Sequence, residues 1–259
     1  MVTANSSLEA PITEHLAEIR QRLLLCIGAF VVSFLAAYAF SDRLILFILK
    51  PLKDAAPTLK LATLSLTEGF VTTLKLALYA AFILCLPVTL WQCWRFIEPG
   101  LVQREKVWFK TLLFPMIGAF FVGTAFCYFA VLPMAIRFFL TDLGNSFQIV
   151  FSYGAYVDFS VVFLLIMGLM FQLPLLIALL DSVGLVPVHL LQSHRRHTIV
   201  GAFILGAIFS PPDVVSQILV SVPLILLLEA GIQLAHFFRK RQIKDSSREA
   251  DIQKVEIIQ

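Results

Sequence analysis

Six long, predominantly apolar stretches of this chain contain no Asp, Glu, Lys or Arg: Leu23 to Ser41, Leu76 to Trp94, Thr111 to Ile136, Phe159 to Leu180, Thr198 to Pro212 and Val214 to Leu228. At ~1.5 Å of rise per residue, the first four approach or exceed the ~30 Å hydrocarbon core of a bilayer. The last two hold about 15 residues each, below the ~17–25 of an ordinary span. None alternates apolar with polar residues, which excludes barrel strands. Each run must therefore satisfy its backbone N–H and C=O groups internally, as helix. The pattern predicts an all-α polytopic membrane protein with six transmembrane helices, the last two short.

The segments between the runs divide the chain into three parts. Residues 1–22 form an N-terminal arm ending in a short amphipathic helix, with Ile12, Leu16, Ile19 and Leu23 on one face. Residues 23–236 form the membrane domain, and 237–259 a charged tail expected to be frayed or disordered. Within the membrane domain, 41–70 reads as a long polar connection containing Pro51 and Pro57, and 95–110 as a charged loop. Residues 137–158 and 181–197 make two further connections. Ser210-Pro211-Pro212-Asp213 is a tight turn, since consecutive prolines cannot continue a helix. Pro87, Pro115, Pro174 and Pro223 interrupt helices and as a set suggest curvature. Arg20, Arg22 and Ala37-Tyr38-Ala39 imitate a cleavable leader, but the first run exceeds the ~7–15 residues of a signal core and reads as a retained helix.

Charge sets the expected orientation. With the N-terminus inside, the inner connections carry Arg20, Arg22, Arg95, Arg104, Lys106, Lys110, Arg195, Arg196, Arg239, Lys240, Arg241, Lys244, Arg248 and Lys254. The outer ones carry Arg43, Lys50, Lys53, Lys60 and Arg137, leaving Lys75 at a helix edge. The inner excess places both termini in the cytoplasm. The net charge of +3 is too small and dispersed for nucleic acid.

Candidate chemistry is sparse. There is no phosphate-binding loop, no H-E-x-x-H and no G-x-S-x-G, so neither an enzyme nor a bound cofactor is indicated. Cys26, Cys85, Cys93 and Cys127 all lie within apolar runs and read as small hydrophobes. His189, His194 and His197 sit beside Arg195 and Arg196, whose charge disfavours a metal ion. The deepest polar groups are Gln172, just before Pro174, and Gln217. An ion-coupled transporter places ionisable groups near the midplane, and none is seen, so a small-solute secondary transporter is the weaker alternative. Three carboxylates on the inner side remain: Glu18, Glu98 and Glu105. Each suits a partner's guanidinium. Glu18 equally suits a pair with Arg22 one helical turn on, and Glu105 simple solvation.

His15-Leu16-Ala17-Glu18-Ile19-Arg20-Gln21-Arg22-Leu23-Leu24 resembles the N-terminal signature of the TatC family, the multispanning subunit of the twin-arginine protein translocase. Trp94-Arg95-Phe96-Ile97-Glu98-Pro99-Gly100-Leu101, followed by Glu105, is similar to that family's first cytoplasmic loop. Gly201-Ala202-Phe203, Ser210-Pro211-Pro212-Asp213-Val214 and Ser216-Gln217 are similar to its fifth helix and last external turn. The matches are in order and span nearly the whole chain.

The resemblance implies six helices in a cupped bundle, assembly with TatA- and TatB-type single-span subunits, and recognition of paired-arginine signal peptides. Export of folded proteins across the inner membrane would draw on the proton-motive force. It implies that Glu18 and Glu105 contact the twin arginines, supported by Arg20, Phe96, Pro99 and Leu101. It marks Pro51, Asp213 and Gln217 as structural or partner-binding positions. Gln172 departs from the glutamate common there, and Gly100 from alanine. Ala202 and Gly206 form a small-xxx-small face on the fifth helix, which suits a docking single-span partner.

Overall fold

A computed structural model describes residues 6–57, 59, 61–98, 103–144, 151–182, 187–210 and 213–258 of the chain. Side chains are described for 17–57, 59, 61–96, 98, 111–140, 152–182, 187–210 and 213–237. Pro99 and Leu101 therefore lie outside the described residues, and Glu105 is described only through its backbone.

The helices are α1 (Ser6–Ala39), α2 (Ser41–Ala55), α3 (Glu68–Ile97), α4 (Gln103–Phe126), α5 (Leu132–Gly144), α6 (Tyr153–Met170), α7 (Leu173–Ser182), α8 (Val188–Ser193), α9 (Arg195–Phe209) and α10 (Val214–Ile258). Two-residue strands β1 (Leu61–Ala62) and β2 (Phe151–Ser152) pair in parallel. Five stretches are long and apolar enough to cross a membrane: Ala17–Ala39, Glu68–Phe96, Thr111–Leu140, Tyr153–Ser182 and Val214–Phe237. The remaining apolar helix, α9, has 15 residues, or ~22 Å.

The chain packs as two compact units, 1–106 with 132–165, and 107–131 with 166–259. In the first, α1 runs antiparallel to α3. The Cys26 carbonyl lies 3.7 Å from Cys85 Sγ, and Arg22 reaches the Gln92 carbonyl. The expected polar connection from 41 to 70 is instead partly helix α2. Its apolar residues recur at helical spacing and bury Ile48, Leu49, Pro51 and Leu52 on one face. The charges Asp42, Arg43, Lys50, Lys53 and Asp54 on the other side hide this pattern from a search for uncharged runs. The Tyr156 hydroxyl donates to the Ile48 carbonyl at 2.8 Å, one turn before Pro51.

The strand pair is held by Glu68 at the start of α3. Its carboxylate accepts from the Gly154 N–H at 2.8 Å and the Ser65 N–H at 3.2 Å. The Ser152 hydroxyl and Leu64 N–H complete the set. A Cβ at Gly154 would lie 2.9 Å from that carboxylate, so only glycine permits the approach.

In the second unit, Leu112, Leu175 and Leu179 pack with Met116, Ala119 and Leu234. A second cluster joins Ala178, Val188, Ile232 and Ala235. Helices α4 and α6 approach closely because Gly123 and Gly168 face each other's helix. A Cβ at Gly123 would lie 2.7 Å from the Met167 carbonyl, and one at Gly168 2.6 Å from the Phe120 ring.

Two helical breaks follow from proline. A π-turn, Cys127–Val131, precedes Pro133. It widens the helix where the proline ring would press on the carbonyl four residues back. The predicted run from Phe159 to Leu180 is two helices, with Phe171 and Gln172 in a turn before Pro174. The Gln172 N–H there bonds to Leu169, three residues back, rather than four.

Helix α10 continues to Ile258. No glycine or proline occurs from Ile232 onward, and Lys, Arg, Glu, Gln and Ala are good helix formers.

Candidate functional site

Glu18 stands on the last described turn of α1 before its apolar run. Its carboxylate accepts from Arg22 Nη2 one helical turn on. Arg22 Nη1 also donates to the Gln92 carbonyl of α3 at 3.3 Å. The Arg22 side chain is 18% exposed and that of Glu18 33%, so the pair is partly shielded. Ala17, Glu18, Arg20, Gln21 and Leu24 line an open depression around it. Arg20 is exposed, and Phe96, at the far end of α3, is half-buried. Glu105 is the third residue of α4, in its first turn. A carboxylate in that position is favoured by the helix dipole. The structure thus gathers Glu18, Arg20 and Arg22 at one end of the α1–α3 pair.

Gln172 occupies the break between α6 and α7 and is 9% exposed. Its amide nitrogen donates to the Met116 carbonyl of α4 at 2.8 Å, while Oε1 is buried without a partner. The amide therefore ties two helices together rather than satisfying a carbonyl at its own kink.

Helices α9 and α10 form an antiparallel hairpin. Arg195 Nη2 meets Glu229 Oε1 at 3.0 Å at one end, and Gln217 Nε2 donates to the Phe203 carbonyl at 3.2 Å nearer the turn. Asp213 caps α10, its Oδ1 accepting from the Ser216 N–H at 2.7 Å. Ala202 and Gly206 are buried, and a Cβ at Gly206 would lie 2.1 Å from Ser221 Oγ. The small-residue face is therefore filled by the chain's own last helix. A partner on α9 would meet Phe203, Ile204 and Ile208, which are exposed.

The expectation of a short sixth helix also changes. Its apolar stretch continues past Glu229 to Phe237, because that single charge is paired and Ile232 and Ala235 pack on Ala178 and Val188.

The sequence reading passed over one pair. Lys75 Nζ and Asp158 Oδ2 stand 2.7 Å apart, between α3 and α6. Each immediately precedes an uncharged run, on the predicted outer side. Opposite charges at equal depth on two runs were the available signal. His189, His194 and His197 are exposed, and the last two rings are 5.6 Å apart.

Long apolar helices, interhelical polar ties and a shielded carboxylate–guanidinium pair define a multi-pass helical membrane protein. Comparison with known proteins makes this specific. Residues 14–223 match the family model for Sec-independent protein translocase protein (TatC). A protein of that name from Desulforapulum autotrophicum is 36% identical over 94% of this chain and 90% of its own length. One from Aquifex aeolicus is 37% identical over 90% and 97%. One from Haemophilus influenzae is 34% identical over 96% and 97%. A crystal structure described as twin arginine translocase receptor TatC superposes with a TM-score of 0.77 at 36% identity, covering 86% of this chain and 98% of that one. The chain belongs to the TatC family. It is a protein translocase component rather than an enzyme, and the small-solute transporter alternative finds no support among these relatives.

Proposed function

We propose that this chain is the signal-peptide receptor and core subunit of a twin-arginine translocase, recognising paired arginines through Glu18 and Glu105. The observation that carries the reading is the partly shielded Glu18 carboxylate, which already holds a guanidinium at the rim of an open depression. Arginine presents a planar fork to a carboxylate where lysine offers a point charge. A charge-assisted hydrogen bond contributes ~1.5–3 kcal/mol when shielded, against ~0–1 kcal/mol for an exposed pair. Selectivity for arginine therefore needs partial shielding, which Phe96 and Leu101 would supply. Arg20 and Pro99 would support the loop.

Both termini face the cytoplasm, on the strength of the basic excess in the inner connections, and the membrane is the inner, energy-transducing one. TatA- and TatB-type single-span subunits assemble with several copies of the chain, and folded precursors cross at the expense of the proton-motive force. Pro51, Gln172, Asp213 and Gln217 shape the surfaces those subunits meet. The test is photo-crosslinking of an Arg-Arg precursor in membranes carrying Glu18→Ala, Glu105→Ala or both. Each single change should greatly reduce the yield while the protein still inserts. Wild-type yield from the double variant would refute the site.

A further inference from the structure

Glu18 is already engaged by a guanidinium of the chain itself, and this bears on how a signal arginine could reach it. Arg22 Nη2 contacts Glu18 Oε1, and Arg22 Nη1 is anchored on the Gln92 carbonyl at 3.3 Å. The anchor lies on a different helix, 70 residues along the chain, so Arg22 is held from both sides rather than swinging freely in solvent. A carboxylate accepts a bidentate guanidinium through both oxygens in one plane. Arg22 takes up one acceptor site on Oε1, so an incoming arginine that seats its fork on both oxygens competes with it there.

We infer that Arg22 is an intramolecular stand-in for the signal arginine, so that signal binding is an exchange of one guanidinium for another at Glu18. The inference rests on the receptor reading above and adds a specificity-determining residue to it. Arg22 supplies a positive charge to a half-buried carboxylate that is costly to desolvate. It also sets the threshold a ligand must exceed. Observed affinity is the difference between the signal's contact and the one it replaces, and the Gln92 anchor receives Arg22 when it is displaced. Arg22 thus acts through Glu18 as a positioning residue, and its removal should tighten binding, whereas loss of a merely structural arginine would weaken it.

The experiment measures binding of a fluorescent synthetic peptide, one Arg-Arg pair followed by an apolar segment, to the full-length protein in detergent. Variants are Arg22→Gln, Arg22→Lys, Glu18→Gln and Glu18→Gln with Arg22→Gln. Arg22→Gln should tighten binding about fivefold, the equivalent of one partly exposed ion pair. Arg22→Lys, which keeps a cation but loses the fork, should fall between that and the wild type. In the Glu18→Gln background the change at Arg22 should have no effect, because nothing is left to unmask. Unchanged or weaker binding by both Arg22 variants, with Glu18 still required in the wild type, would overturn the exchange while leaving the receptor reading intact. Wild-type binding that does not depend on Glu18 would instead sink the receptor reading, and the exchange with it.

Discussion

The tightest contact in the α9–α10 hairpin gives the sharpest prediction. Replacing Gly206 by alanine places a Cβ 2.1 Å from Ser221 Oγ, 3.3 Å from Ser221 Cβ and 3.4 Å from the Gln217 carbonyl. The first distance is impossible for unbonded atoms, so the helices must part or Ser221 must rotate. Ser221 is wholly buried and its hydroxyl has no hydrogen-bond partner, so neither space nor a bond compensates the move. Overpacking of this kind costs ~1–3 kcal/mol. At roughly 2–4 °C per kcal/mol for a chain of this size, Gly206→Ala should lower the melting temperature by a few degrees or more. Ser221→Ala alone should be close to neutral, because it deletes an unpaired buried hydroxyl. Combined with Gly206→Ala it removes the 2.1 Å clash and leaves the 3.3 Å and 3.4 Å contacts, so the double variant should recover most of the loss. Thermal unfolding of the four proteins in one detergent decides the matter. A Gly206→Ala protein as stable as the wild type, or a double variant no better than it, would refute the packing argument. Partner co-purification is a second readout, since hairpin geometry and not a docking groove is what Gly206 controls.

Four further outcomes follow. Gln172→Leu should cost only ~0.6–1.7 kcal/mol in unfolding, the range for one interhelical hydrogen bond in a membrane, because it also removes the unpartnered Oε1. Gln172→Glu can donate to the Met116 carbonyl only when protonated, so its stability should fall as pH rises through the glutamate's own titration, and a flat profile from pH 5 to 9 would contradict the contact. Asp158→Asn should strand Lys75 at a cost of about 1 kcal/mol, largely restored by the swap Lys75→Asp with Asp158→Lys. A swap less stable than either single change would show that the pair is incidental. In a cysteine-free background, cysteines at Lys60 and Ser246 should label from opposite sides of the membrane, and labelling of both from the same side would refute the topology.

The sequence alone determined that this is a multi-pass helical membrane protein, because a bilayer leaves an uncharged run no alternative to helix. It determined the family too, since Glu18, Arg20 and the Ser210–Asp213 turn lie in contiguous motifs that need no tertiary information. It determined less wherever charge and apolar residues share an element. Helix α2 was hidden by its own charged face, and the extent of α10 by one glutamate at position 229.

Tertiary structure alone decided the partners. Whether Ala202 and Gly206 face a foreign helix or the chain's own depends on the hairpin angle. Whether Gln172 caps its kink or bridges to Met116 depends on where α4 lies. Lys75 and Asp158, 83 residues apart, become an ion pair only when α3 and α6 are adjacent. Spacing along a sequence fixes which residues share a helical face, but which neighbour that face meets is settled by packing between segments distant in the chain. The same holds for Arg22: its spacing of four from Glu18 was legible, but its anchor on Gln92, which makes it a fixed competitor for that carboxylate, was not.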